Sequence, residues 1–203
     1  MIFPLSKKLI FLFLFLLTSN SYGDNDNANR IELLVNENVI TKYDIIQRLK
    51  INSILKRIEI DDLNYNKLLN SVVDDLIIEK LKINKIEEYN ISFDKYEFDE
   101  HEKRFYSTLN YKKEDLKELF SINKVNYNHL LEFLEVDLKW QKLIYGLYYR
   151  VSSVTDQEII DLMSKNQNIS KEAAHDIILQ KQLDLKSMKL IKDLRDEATI
   201  EYK

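Results

Sequence analysis

Three histidines, His101, His129 and His175, are the first residues to test for chemistry in this 203-residue chain. None has a second His or a Cys three or four residues away, so no helical turn presents a pair of metal ligands. His101 stands among Asp99, Glu100 and Glu102, which would make a weak cation site; the simpler reading is an acidic, solvated helical turn. A Ser–His–Asp arrangement obeys no fixed spacing and stays open at this stage. The chain has no glycine-framed nucleophile elbow and no glycine-rich phosphate loop. With 34 acidic residues, paired carboxylates arise by chance and carry no information. These residues call for no metal or cofactor, and the expectation is a protein that is not an enzyme.

Aromatic residues are the more unusual feature: 12 Tyr, 9 Phe and one Trp. Several fall in the middle of the chain, and Tyr145, Tyr148 and Tyr149 follow closely on Trp140. Tyr combines rigid apolar area with a polar tip, which suits a surface that grips varied partners. Phe105, Tyr106, Tyr111, Phe120, Trp140 and Tyr148 are the candidate groove residues, chosen for aromatic type near predicted helix junctions. Each has the alternative of ordinary core packing.

The elements that would position them are mainly helical. The chain has no Cys, one Pro (Pro4) and two Gly (Gly23, Gly146), too few glycines for the tight turns of sandwiches, barrels or nucleotide-binding sheets. Ile31–Val35 and Val39-Ile40 form a predicted hairpin around Asn36-Glu37-Asn38. Thr41 with Asp44 opens a helix to about Arg57, and a second covers roughly Tyr65–Tyr89. Ser92 is expected to cap a third helix through about Leu109, and a short one begins near Lys113. Asn126 caps a long helix, Tyr127–Arg150, with two apolar strips. Leu130, Leu131, Leu134, Leu138 and Tyr145 lie on one strip, and Phe133, Val136, Trp140, Leu143 and Ile144 on the other. Such a helix should be sandwiched as a central strut. Thr155 with Glu158 opens a short helix, Ser170 caps the last one to about Glu197, and Ala198–Tyr202 is strand-like.

Residues 1–23 have the form of a signal peptide: Lys7 and Lys8, the apolar run Leu9–Leu17, and small residues ahead of cleavage near Gly23/Asp24. The apolar run is too short for a span of ~20 residues, so stable membrane insertion is not expected. Export from a two-membrane bacterium leads to the periplasm, with 24–29 a flexible new terminus. The net charge is −4, and loss of Lys7 and Lys8 makes it −6. An acidic chain with mixed surface charge argues against nucleic acid as a partner.

Three stretches together resemble the SurA family of periplasmic chaperones for outer-membrane proteins. RIELLVNENVITKYDIIQRL is similar to that family's opening strand, turn and capped helix. LLNSVVDDLIIEKLKINKIEEYNI resembles its next helix, and NKVNYNHLLEFLEVDLKWQKLIYGLYYRVSSVTDQEI its long helix and following step. LIKDLRDEATIEYK resembles its closing helix and strand. The resemblance implies a mainly α fold, with residues 30–163 as an N-terminal-like chaperone domain. Residues 170–203 would complete it through a small antiparallel sheet of first and last strands. Family members carry a parvulin prolyl-isomerase domain before the closing helix; here that gap is Ser164–Ile169, so no isomerase domain is expected. The implied partners are unfolded outer-membrane β-barrel proteins, held without ATP in an apolar aromatic groove by a monomer or weak dimer. The alternatives are a non-catalytic adaptor in envelope assembly and a prolyl isomerase with an unrecognised site.

Overall fold

The computed structural model describes residues 29–203 apart from 167. The expected leader over 1–23, and the polar stretch after it up to residue 28, lie outside the described residues. Strands β1 (Ile31–Val35) and β2 (Asn38–Thr41) pair as an antiparallel hairpin, with Asn36 in the left-handed region at φ 53°. The last strand, β3 (Ile200–Tyr202), pairs antiparallel with β1, matching Val35 to Ile200 and Leu33 to Tyr202, so the sheet order is β2-β1-β3. Flanking bonds extend the clasp: the Asn36 N–H donates to the Thr199 carbonyl at 2.8 Å, and the Lys203 N–H to Glu32 at 2.9 Å.

Seven α-helices fill the described chain: α1 Lys42–Lys56, α2 Tyr65–Glu88, α3 Lys95–Leu109, α4 Lys113–Ile122, α5 Tyr127–Tyr148, α6 Asp156–Lys165 and α7 Lys171–Glu197. The capping boxes at Thr41/Asp44 and Thr155/Glu158 form as expected, and Asn126 and Ser170 cap α5 and α7. The cap of α3 is Asp94, two residues beyond the expected Ser92. Asp94 accepts the Glu97 N–H and Glu97 accepts the Asp94 N–H, each at 2.9 Å. A Ser92 cap would place Lys95 at the third helical position, where no carboxylate can reach back. α5 stops at Tyr148, short of the expected Arg150, and tightens into a 3₁₀ turn at Tyr149–Val151. Where other chains close a helix with glycine, this one uses Arg57 and Asn110 in left-handed backbone at φ 54° and 53°.

Both strips of α5 contribute to burial, and the clusters divide along its length. Leu130 and Leu134 join Ile51, Leu116 and Phe120 in one cluster, and Trp140, Leu143 and Ile144 join Ile86 and Leu183 in another. A third cluster sits between the sheet and helices α1 and α2, built from Leu33, Val35, Ile40, Leu49, Val72 and Leu76. The fold is thus mainly α with a small sheet uniting first and last strands. Among the described residues no helix is long and apolar enough to cross a membrane. Leu33, 1% exposed at the centre of this sheet, should cost about 2–5 kcal/mol when replaced by Ala, measured by urea denaturation.

Candidate functional site

Two neighbouring clefts lie along α5. The first, about 330 Å³, is walled by Ile51 and Leu55 of α1, Ile78 of α2, Phe105 and Leu109 of α3, and Phe133 and Val136 of α5. The second, about 660 Å³, runs between α5 and α7, past Leu138, Trp140, Ile144, Tyr145, Gly146 and Leu183. Lys82 and Asp137 line both. From Phe133 to Tyr145 the furrow follows ~18 Å of helix at ~1.5 Å per residue. An extended chain rising ~3.3 Å per residue covers that distance with about five or six residues.

Charged groups are held at the edges of this apolar lining. Arg48 pairs with Glu79, and its guanidinium lies 5.0 Å from the centre of the Phe133 ring. Asn52 donates to Asp75 at 3.1 Å, Gln141 to Asp137 at 2.8 Å and Gln180 to Asp184 at 2.8 Å. Arg48, Lys56 and Lys82 face Asp75, Glu79 and Asp137 around the first cleft, so its formal charge balances. Burial pulls the Lys82 ammonium below the ordinary lysine range, against the upward push of Asp137, Glu79 and Asp75. Its Nζ rests 5.5 Å from the centre of the Trp140 ring.

Two hydrogen-bonded contacts clamp α3 antiparallel on α5 and so position the Phe105 wall. Lys142 donates to both Glu97 oxygens at 2.6 and 2.8 Å, and the Tyr127 hydroxyl donates to Glu102 at 3.1 Å; the buried His101 Nε2 lies 3.3 Å from Asp137 Oδ2 with no hydrogen-bond partner. The expectation of a solvated acidic turn at His101 is corrected here. His101 and Glu102 are buried, because α3 turns that face onto α5. Glu102 also accepts from the Tyr106 hydroxyl at 2.9 Å and from Lys113 at 2.6 Å. Burial alone would raise the Glu102 carboxyl, but the bonds from Lys113, Tyr106 and Tyr127 bring it below the usual carboxylate range. Burial and Glu102 push the Tyr127 hydroxyl up to about 12, against the lowering hydrogen bond with Tyr106; burial, Tyr127 and Glu102 raise the Tyr106 hydroxyl.

The six aromatic candidates divide by location. Phe105 is half-buried in the wall of the first cleft; Trp140, only 3% exposed in the cluster with Ile86 and Leu183, borders the second and donates its indole N–H to Ser187 of α7 at 2.8 Å. Phe120 is fully buried, edge-on to Tyr127, and Tyr106 lies in the same cluster. Tyr111 is half-buried, donates to the Ile54 carbonyl at 3.0 Å and packs under Arg57. Tyr148 packs against the cluster around Trp140. The structure therefore brings Phe105 and Trp140 to the furrow and leaves the other four outside its lining. Lys82, Asp137, Phe133, Val136 and Tyr145 belong to the lining and were not among the candidates. Their signal is the apolar strip of α5 and the stripe Asp75, Ile78, Glu79, Lys82 on α2, where charges interrupt an apolar face at helical spacing.

No protein-family model matches this chain, and no curated protein matches it in sequence. Among solved structures it is similar to a chain from a pair of structurally related SurA-like chaperones of Campylobacter jejuni, the virulence factor PEB4 and the periplasmic protein Cj1289. The match has a TM-score of 0.50 at 14% identity, over 86% of this chain and 99% of that one. The likeness is one of fold: the chain has a SurA-like fold.

Two outcomes follow from this arrangement. Phe120→Ala should cost about 3–5 kcal/mol in urea denaturation, and Phe105→Ala, at the cleft wall, clearly less. Glu102, lowered in the folded state, adds stability that is present above the unfolded carboxylate range and is lost as pH falls through its folded value. Glu102→Gln should therefore flatten the decline of stability with falling pH, read from denaturation midpoints across that range.

Proposed function

We propose that this protein is a periplasmic, ATP-independent holdase that keeps unfolded outer-membrane β-barrel proteins from aggregating. One observation carries the reading: a charge-balanced apolar furrow runs along the central helix of a SurA-like fold. Barrel strands in transit expose alternating apolar side chains and many aromatics, and these aggregate unless covered. A furrow with apolar walls and few fixed polar demands grips such segments without selecting one sequence. The rim does not favour polyanions, which argues against a nucleic-acid partner.

The work asked of the furrow is weak, reversible binding, so no step makes or breaks a covalent bond. A net charge of −6 after loss of the leader keeps the carrier soluble while it holds apolar cargo. In this reading the protein acts as a monomer or weak dimer, exported by its leader to the compartment where barrel precursors travel.

Light scattering of a urea-unfolded eight-stranded outer-membrane barrel, diluted into buffer, tests the reading. Stoichiometric protein should suppress the scattering, and a proline-peptide assay with the same preparation should show no rate above background. Scattering unchanged at stoichiometric amounts would overturn the holdase reading.

A further inference from the structure

The two clefts of the furrow share Lys82 and Asp137 as lining residues. On one side of this waist stand Phe105, Phe133 and Val136, and on the other Trp140, Ile144 and Leu183. A guest laid along the furrow has to pass the Lys82 ammonium between two apolar compartments. Among the described residues no carboxylate lies within 4.0 Å of that ammonium and no hydrogen bond engages it; its nearest aromatic neighbour is the Trp140 ring.

The surrounding charges decide what the waist accepts. Glu79 is held by Arg48, and Lys56 and Lys82 balance Asp75 and Asp137 around the rest of the first cleft. A guest charge of either sign would upset that balance. An apolar guest residue would strip water from Lys82 and return no hydrogen bond, which is the costly case for a half-buried charge. A neutral oxygen accepts a hydrogen bond from the ammonium without adding charge.

Resting on the holdase reading, we propose that Lys82 reads polarity at the waist. It donates to a neutral side-chain oxygen, a hydroxyl or amide, at the middle of an extended guest segment whose flanking apolar side chains fill the two clefts. The furrow then selects segments that are apolar, polar, then apolar over about five or six residues, and disfavours continuously apolar ones. Asp137 is a positioning residue, fixed by Gln141 and faced by His101.

Two fluorescently labelled, capped hexapeptides test this with the full chain. Both carry Leu at the first, second, fifth and sixth positions, and the middle pair is Thr-Thr in one and Val-Val in the other, equal in shape and different in hydroxyls. Fluorescence anisotropy should show the Thr-Thr peptide binding about tenfold tighter to the wild type. Lys82→Met should reverse the order, and Lys82→Gln, which keeps a neutral donor, should retain part of the Thr preference. Equal binding of the two peptides by the wild type, or an unchanged preference in Lys82→Met, would overturn the proposal. A wild type that suppresses barrel aggregation yet binds neither peptide, as when a second copy covers the furrow, overturns the proposal alone. One that does neither overturns the holdase reading with it.

Discussion

A helix that is apolar around most of its circumference cannot rest against a single neighbour, and α5 imposes this requirement on the whole molecule. Its Leu130–Leu134 strip is covered from the side of α1 and α4, and its Trp140–Ile144 strip by the end of α2 and by α7 from Leu179 to Leu194. Covering the second strip demands that the last long helix return across the body. That return brings Ala198–Tyr202 back to β1, where three residue pairs and two flanking backbone bonds fasten it. Arg195 adds a further tie, donating to Asp74 of α2 at 2.8 Å. The sheet is small, yet it joins the two ends of the described chain.

The furrow is what this covering leaves open. α1 and α3 stand on one side of α5 and α7 on the other, and between them the helix still shows Phe133, Val136 and Tyr145. Two polar clamps, Lys142 on Glu97 and Tyr127 on Glu102, set α3 on α5. On α7, Ser187 is held by the Trp140 indole. The walls are thus positioned by hydrogen bonds while the lining is mainly apolar.

Much of the fold was legible because helix ends carry local chemistry. Thr41 with Asp44, Thr155 with Glu158, Asn126 and Ser170 each announce a start through residues that satisfy the first free N–H groups. The one displaced cap, Asp94 in place of Ser92, shows that the reciprocal partner decides between two competing residues. The two strips of α5 were also visible in its phase. The site was less legible. Aromatic type does not separate core from cleft, since Phe120 and Phe105 look alike in sequence and only the arrival of α4 buries the first. Lys82 and Asp137 sit on different helices, so their meeting at one waist exists only after α2 has packed on α5.

The central claim is that an unfolded segment lies along α5. Site-specific photocrosslinking tests it most directly, with benzoylphenylalanine placed in turn at Phe105, at Tyr145, and at Tyr202, an exposed aromatic of the sheet outside both clefts. With an unfolded outer-membrane barrel as partner, this account expects covalent adducts from Phe105 and Tyr145 and little from Tyr202. Adducts chiefly from Tyr202, or none from the two furrow positions, would contradict it.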